Sequence, residues 1–362
     1  MRITNSEKKK IKLGSLFDGI GVFPLAASRW EIEPVWASEI GKAAVSITKK
    51  HFPAMRHLGD IKKIRGNRVE AVQVLTFGSP CQDLSVAGFQ SGLQGKRSGL
   101  FFEAIRIIKE MRYATNELYP TIVVWENVMG AFSANHRMDF KAVLESFADT
   151  EVPMPSTGKW ATAGMVRGGQ SDISWRVLDS QYWGRPRLRQ QRRRVFLVAD
   201  FGGERSGEIL FKSRKMYPYS ASGTDGRDMS ARGNRNTFAE TGRSIPIIRV
   251  FRGRKIRQAA KQHDAREFLQ GFGKADAAFP TLMAQEPTVF AFWYPDNITA
   301  GVIRYLTPNE CEWLQGLPTD WTAQGVQGEA ISDNARYQAI GNAIALPCAE
   351  YIMAGIQEVL NS

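Results

Sequence analysis

Between Ile11 and Asp200 short, almost wholly apolar runs alternate with longer mixed segments, and this constrains the fold of the 362-residue chain more than any other feature. Strands covered on both faces read as continuous apolar runs, and helix-length segments between them are what parallel pairing requires. The runs predict strands at Lys12–Phe17, Pro34–Ser38, Val72–Phe77, Thr121–Glu126 and Arg194–Val198. Leu100–Met111 places Leu100, Phe101, Ala104, Ile105 and Ile108 on one side at helical spacing, as a buried crossover helix does. The expected class is α/β, with a Rossmann-like sheet and helices on both faces.

The pattern stops after residue 202. Residues 203–302 are rich in Gly, Arg, Ser and Asn and lack a clear strand–helix alternation; between Gly203 and Val289 there are 16 Lys or Arg against 9 Asp or Glu. This stretch is expected to form a smaller, irregular, mostly β and basic domain. Regular patterning returns in 303–362, where Thr307-Pro308-Asn309-Glu310 predicts a capped helix start and Ala343–Leu360 a closing helix packed back on the first domain.

The net charge of +12 favours a polyanionic partner such as nucleic acid. Three widely spaced cysteines, Cys81, Cys311 and Cys348, make neither a disulfide framework nor a zinc cluster, so a reducing interior and no metal are expected. Lys8, Lys9, Lys10 and Lys12 precede a stretch broken by Gly14, Asp18, Gly19 and Gly21, which is no export signal or membrane span.

Candidate chemistry gathers at the predicted strand ends, where α/β proteins bind ligands. Cys81 follows the Val72–Phe77 run in Gly78-Ser79-Pro80-Cys81-Gln82 and is the candidate nucleophile. Phe17-Asp18-Gly19-Ile20-Gly21 is a Gly-rich turn opening a helix, where missing β-carbons let backbone amides approach a ligand. Pro24 stands where a dinucleotide fingerprint has its third Gly, which counts against a nicotinamide cofactor. Glu39 could accept two ribose hydroxyls and Asp60 an exocyclic amino group, although both also read as solvated strand-end acids. Glu126 ends an apolar strand, an expensive place for a carboxylate that is neither paired nor used, and Asn127 beside it suits fixing a neighbouring loop. Arg185, Arg187, Arg189, Arg192, Arg193 and Arg194 crowd ten residues, as expected where phosphates or bases are bound.

In this order the motifs resemble the DNA cytosine-5 methyltransferases. The likeness rests on the F-x-G-x-G turn, Pro80-Cys81-Gln82, Glu126-Asn127-Val128, Gln190/Arg192/Arg194, Leu306–Glu310 and Gly341-Asn342-Ala343-Ile344. It extends from Leu13 to Leu346, the basic stretch apart. The resemblance implies S-adenosylmethionine as methyl donor, with S-adenosylhomocysteine as product, and duplex DNA as substrate. Residues 1–202 would be the catalytic and cofactor-binding domain, 203–302 the target-recognition domain and 303–362 the return to the first. It implies catalytic roles for Cys81, Glu126, Arg192 and Arg194. The cofactor would meet Phe17, Gly19, Gly21, Glu39, Ile40, Asp60, Ile61, Leu100, Asn342 and Ile344. DNA would meet Gln82, Ser85 and Arg97 in a loop that closes over a flipped base. Arg249, Arg252, Arg254 and Arg257 of the basic stretch are its further expected contacts. A monomer acting on DNA in the cytoplasm of a bacterial or phage-infected cell, away from membranes, is the setting the family implies; a cognate restriction endonuclease is a partner the sequence does not name.

One departure concerns Gln190: Pro186 is followed by Arg187, Leu188 and Arg189 before it, where the family has Pro almost adjacent to the Gln. The runner-up within the same chemistry is a tRNA cytosine-5 methyltransferase, whose relatives carry a small recognition region; the roughly hundred-residue basic stretch argues for duplex DNA. A catalytically silent DNA-binding relative would be marked by loss of Cys81 or Glu126, and both are present.

Overall fold

The computed structural model describes residues 10–80, 99–184, 188, 190–212, 247–251, 281–282, 289–294 and 297–362. Its centre is an eight-stranded sheet. The strands are β1 (Ile11–Leu16), β2 (Ile32–Ser38), β3 (Arg56–His57), β4 (Val74–Phe77), β5 (Ile122–Val128), β6 (Ala163–Val166), β7 (Asp172–Asp179) and β8 (Arg193–Asp200), in the spatial order β3-β2-β1-β4-β5-β8-β7-β6. From β3 to β5 neighbouring strands are parallel. The order reverses between β1 and β4, which opens a crevice at their carboxyl ends.

All five predicted strands are present, but the parallel expectation fails for the last. β8 runs antiparallel to both β5 and β7. Among its described residues the link from Asp179 to Arg193 holds a short 3-10 turn at Ser180–Tyr182 and no helix. A parallel return needs a crossover, usually a helix, and with none the chain folds back as a hairpin. β6 and β7 were not predicted. In β7 the apolar Ile173, Trp175 and Val177 alternate with polar residues, a weaker signal than a continuous run.

Helices cover both faces. α1 (Val22–Ser28), α5 (Ser206–Phe211), α6 (Pro308–Gln315), α7 (Asp333–Asn342) and α8 (Leu346–Asn361) supply the core on one side, where Leu13, Val74, Val124, Phe196 and Val198 face them. α3 (Leu100–Ala114) and α4 (Met138–Ala148) supply the other, against Leu16, Leu75, Trp125 and Leu197. α2 (Lys42–His51), between β2 and β3 in the chain, adds Ile47 to the first of these faces. Alternation of faces along each strand sorts the two sets. The predicted start of α6 has the full capping box: Thr307 Oγ1 accepts from the Glu310 amide, Glu310 reaches back to the Thr307 amide, and Pro308 sits at the first helical position.

The segment from Leu306 on packs against the eight-stranded sheet and its first turn through specific contacts. Trp321 Nε1 donates to Ile20 O at 2.9 Å inside the Gly-rich turn, and the Trp321 ring stacks on His51 of α2 at 3.6 Å. β9 (Ile247–Phe251), β10 (Val289–Tyr294) and β11 (Asn297–Tyr305) pair as a three-stranded antiparallel sheet, whose last strand crosses the expected boundary between residues 302 and 303. Among the described residues no single helix is long and apolar enough to cross a membrane, and no cluster of His, Cys, Asp and Glu could hold a metal ion.

Candidate active site

The Gly-rich turn leaves β1 through three residues of positive φ, Phe17 (53°), Gly19 (58°) and Gly21 (77°). A β-carbon at Gly19 would meet nothing within 4 Å, so the turn faces open space there. Glu39, just past the end of β2, holds this shape: Oε2 accepts from the Gly19 amide at 2.9 Å, and Oε1 accepts from the Ile40 and Gly41 amides at 2.8 Å each. The carboxylate expected to take ribose hydroxyls therefore also clamps the turn. Ile40 beside it is 76% exposed, an apolar side chain projecting at the crevice. Asp60 accepts from the Lys62 amide at 3.0 Å and caps the 3-10 turn Ile61–Lys63, in which Ile61 is buried. Leu100 opens α3 and is half-buried. Asn342 ends α7 on the surface, and Ile344 is buried just before α8. The helix start expected to follow the Gly-Asn-Ala-Ile motif comes two residues after Ile344, and Asn342 closes a helix, α7, that the sequence did not reveal.

Asp18 was not singled out. Its side chain is 8% exposed and neither carboxyl oxygen has a hydrogen-bond partner among the described residues. Burial pushes its pKa up to about 7; the Ser15 hydroxyl, close but out of hydrogen-bond geometry, opposes the shift and the Glu39 charge adds to it. Asp followed by Gly in a turn carries no burial signal.

Along the same sheet edge, Glu126 stands two residues before the end of β5 and is 9% exposed. Arg194 Nε lies 3.2 Å from its Oε1. Burial raises the pKa of Glu126, and the charges of Arg194 and then Arg192 oppose the rise. Gly78 passes directly beside it: a β-carbon there would sit 3.0 Å from Glu126 Oε2. Ser79 is tied to the same strand twice, Asn127 Nδ2 donating to its carbonyl at 3.1 Å and Trp125 Nε1 to its hydroxyl at 3.3 Å. The structural role expected of Asn127 is thus visible, and the backbone that leads to Cys81 is fastened to the strand that carries Glu126. Cys81, Gln82, Ser85 and Arg97 lie outside the described residues, as do Arg185, Arg187, Arg189, Arg252, Arg254 and Arg257; Arg249 lies in β9.

Arg192 and Arg194, expected to share an anion, part company. Arg192 is 2% exposed and its guanidinium donates to the carbonyls of Leu282 (3.1 Å), Gly341 (3.0 Å) and Ala343 (2.5 Å). It binds the Gly-Asn-Ala-Ile turn to the foot of β8. Burial and then the charge of Arg194 pull its pKa down to about 9, against the pull of Glu126, so it stays charged at neutral pH. The other thiols are inert by position: burial pushes Cys311 up to about 12 and Cys348 higher still.

Residues 11–358 match the family described as C-5 cytosine-specific DNA methylase. A protein of Escherichia phage P1 named DNA N-6-adenine-methyltransferase is 26% identical over 464 residues, covering 95% of this chain and 61% of its own length. The type II methyltransferase M2.BsuMI of Bacillus subtilis is 26% identical over 354 residues, covering 94% of this chain and 74% of that protein. Among solved structures, the Entamoeba histolytica methyltransferase EhMeth superposes with a TM-score of 0.60 at 15% identity, over 98% of this chain and all of the other.

Proposed function

Because the chain belongs to the C-5 cytosine-specific DNA methylase family, we propose that it transfers a methyl group from S-adenosylmethionine to carbon 5 of a cytosine flipped out of duplex DNA. The observation that carries the reading is the pairing of half-buried Arg194 with buried Glu126, which stands on the strand to which Ser79, two residues before Cys81, is hydrogen-bonded. Carbon 5 of cytosine is a weak nucleophile until a group adds across the ring. The Cys81 thiolate adds to carbon 6 while Glu126, whose raised pKa favours the protonated form, gives a proton to N3. The resulting enamine makes carbon 5 nucleophilic. The methyl donor supplies an electrophilic sulfonium methyl group, which carbon 5 takes. A solvent base then takes the carbon 5 proton, which expels the Cys81 thiolate, and N3 returns its proton to Glu126; Cys81 and Glu126 regain their starting states, S-adenosylhomocysteine is left and one proton passes to water.

The residues fit that donor. Gly19 leaves room at the turn, Ile40 offers an apolar surface for a purine ring, and the second oxygen of Asp60 is available to its amino group. Residues 203–302 act as the target-recognition domain in this reading, and the protein works as a monomer on cytoplasmic DNA. The name of the phage P1 relative raises adenine as a target. An exocyclic amine already carries its nucleophilic lone pair and needs neither a thiol adduct nor an N3 proton, so that chemistry leaves Cys81 and the Glu126–Arg194 pair without work. The chain covers 61% of that relative, whose remaining length lies outside the likeness. The tRNA alternative keeps the same cysteine chemistry and differs only in the nucleic acid.

The test is bisulfite sequencing of plasmid from cells expressing the wild type and Cys81→Ser. Conversion-resistant cytosines in one sequence context, absent with Cys81→Ser, are expected, as is a covalent complex with duplex containing 5-fluorocytosine. Methyl label on adenine, or on tRNA and not on DNA, would overturn the reading.

A further inference from the structure

Arg193, one of the crowded arginines, has no task in the chemistry above. Strand alternation turns it away from Arg194 and Glu126, and its side chain is exposed with no hydrogen-bond or ion-pair partner among the described residues. It opens into a cavity of about 490 Å3 at the β7–β8 end, whose lining includes Arg176, Asp179, Tyr182, Gln191 and Lys212. The register locates this cavity. Arg194 stands opposite Val128 of β5 on one side and Leu178 of β7 on the other, with Arg193 opposite Asp179. The cavity therefore lies at the same end of the sheet as Glu126, one strand further out.

Its lining selects an anion. Three cations face one acid, and that acid is occupied: Asp179 Oδ1 accepts from the Arg192 amide at 3.1 Å, and Oδ2 from Gln181 Nε2 at 2.9 Å. Lys212 is paired with Glu358 at 2.5 Å and Arg176 is held by Leu210 O at 3.0 Å while keeping its charge, which leaves Arg193 as the cation without a side-chain partner among the described residues. Gln191 beside it is exposed, with its side-chain amide unpartnered among the described residues. A planar guanidinium with a neighbouring amide donor suits a phosphodiester oxygen pair. We propose that the Arg193 cavity seats a backbone phosphate of the DNA duplex flanking the flipped cytosine, with Arg193 and Gln191 as donors. This rests on the DNA methyltransferase reading and adds to it a positioning contact outside the reacting atoms. Such a contact holds the duplex in register and carries no base sequence.

The experiment uses the full chain, Arg193→Gln and Gln191→Ala, with duplexes in which single phosphates are replaced one at a time by neutral methylphosphonate. Arg193 is exposed, so Arg193→Gln is expected to fold as the wild type and to bind S-adenosylhomocysteine equally well. For Arg193→Gln we expect KM for DNA to rise roughly three- to tenfold while kcat at saturating DNA falls less than twofold. The slope of log K against log salt should shrink by about 0.9, the value of one lost phosphate contact. One methylphosphonate position should weaken the wild type and leave Arg193→Gln unaffected. Gln191→Ala should show the same coupling, more weakly. If no position couples to Arg193, or the loss falls on kcat alone, the phosphate seat is wrong. If inorganic phosphate at millimolar concentration protects Arg193 from guanidine-directed modification and duplex does not, the cavity takes a free anion and the inference fails. A wild type that methylates no DNA would instead sink the parent reading.

Discussion

The clamp that shapes the turn expected to hold the methyl donor is built from residues close in sequence, and the part of the sheet expected to hold the base from residues far apart. Glu39 and the Gly19 amide it clamps are 20 residues apart, and its other two bonds go to the next two residues. In the second half Asn127 reaches back 48 residues to Ser79, and Arg192 reaches forward 149 and 151 residues to Gly341 and Ala343. The clamp itself needs only β1, β2 and the turn after β1, to which the returning segment adds one distant bond, from Trp321 to Ile20 O. The second needs the hairpin of β7 and β8, the residues around Leu282 and the returning helices all in place. Cofactor binding and base chemistry should therefore separate under mutation.

The largest separation is expected for Glu126→Gln. The amide keeps the size but cannot deliver a proton to N3 or balance Arg194, so methyl transfer should fall by about 10²–10⁴-fold, the range for a lost general acid. Binding of S-adenosylhomocysteine should stay within twofold, because no bond to Glu39 or to the turn is touched. Single-turnover labelled transfer and calorimetry read the two quantities separately. A parallel loss of cofactor affinity would break the division into halves.

Arg192→Met comes next. It removes charged hydrogen bonds to three carbonyls and leaves those acceptors buried, and should cost about 3–5 kcal/mol in urea unfolding. If the stability of β1 and β2 is as local as their contacts, hydrogen-exchange protection there should outlast that of β8 and α7 in this variant. Uniform loss of protection would show that the two halves fold as one unit.

The same contrast explains what was legible in the sequence. β1, β2, β4 and β5 could be read because buried parallel strands are continuous apolar runs, and the turn at Phe17–Gly21 because glycines mark positive φ. Glu126 could be flagged because a carboxylate ending such a run is costly. The role of Arg192 could not be read. Nothing local distinguishes it from Arg194, two residues on, and the carbonyls that capture it lie up to 151 residues away. The antiparallel direction of β8 was hidden for a similar reason, since it follows from the short link between Asp179 and Arg193, without a helix among its described residues, rather than from the strand itself. Trp321 gives no hint of its bond to Ile20, 301 residues earlier.

The smallest expected effect compares the two buried carboxyls. Glu126 has Arg194 to offset its burial, whereas Asp18 has no hydrogen-bond partner among the described residues, and its pKa is pushed to about 7 against the usual 3.8. The fold thus holds a proton that the unfolded chain releases as pH rises from about 4 to 7, so stability declines through that window and the full penalty is present above it. Below pH 4 both states are protonated and the group contributes nothing. Asp18→Asn keeps the shape without the charge. Its advantage over the wild type should be absent near pH 4 and grow to about 1–2 kcal/mol at pH 8, well under the ceiling of roughly 4 kcal/mol set by three pKa units, because local relaxation hydrates a buried carboxylate. Urea unfolding at pH 4, 6 and 8 measures the trend. A difference independent of pH would mean that Asp18 binds its proton alike in the folded and unfolded chain. The methyl-donor half would then carry no proton-linked strain, and Asp18 and Glu126 would differ only in which group offsets their charge.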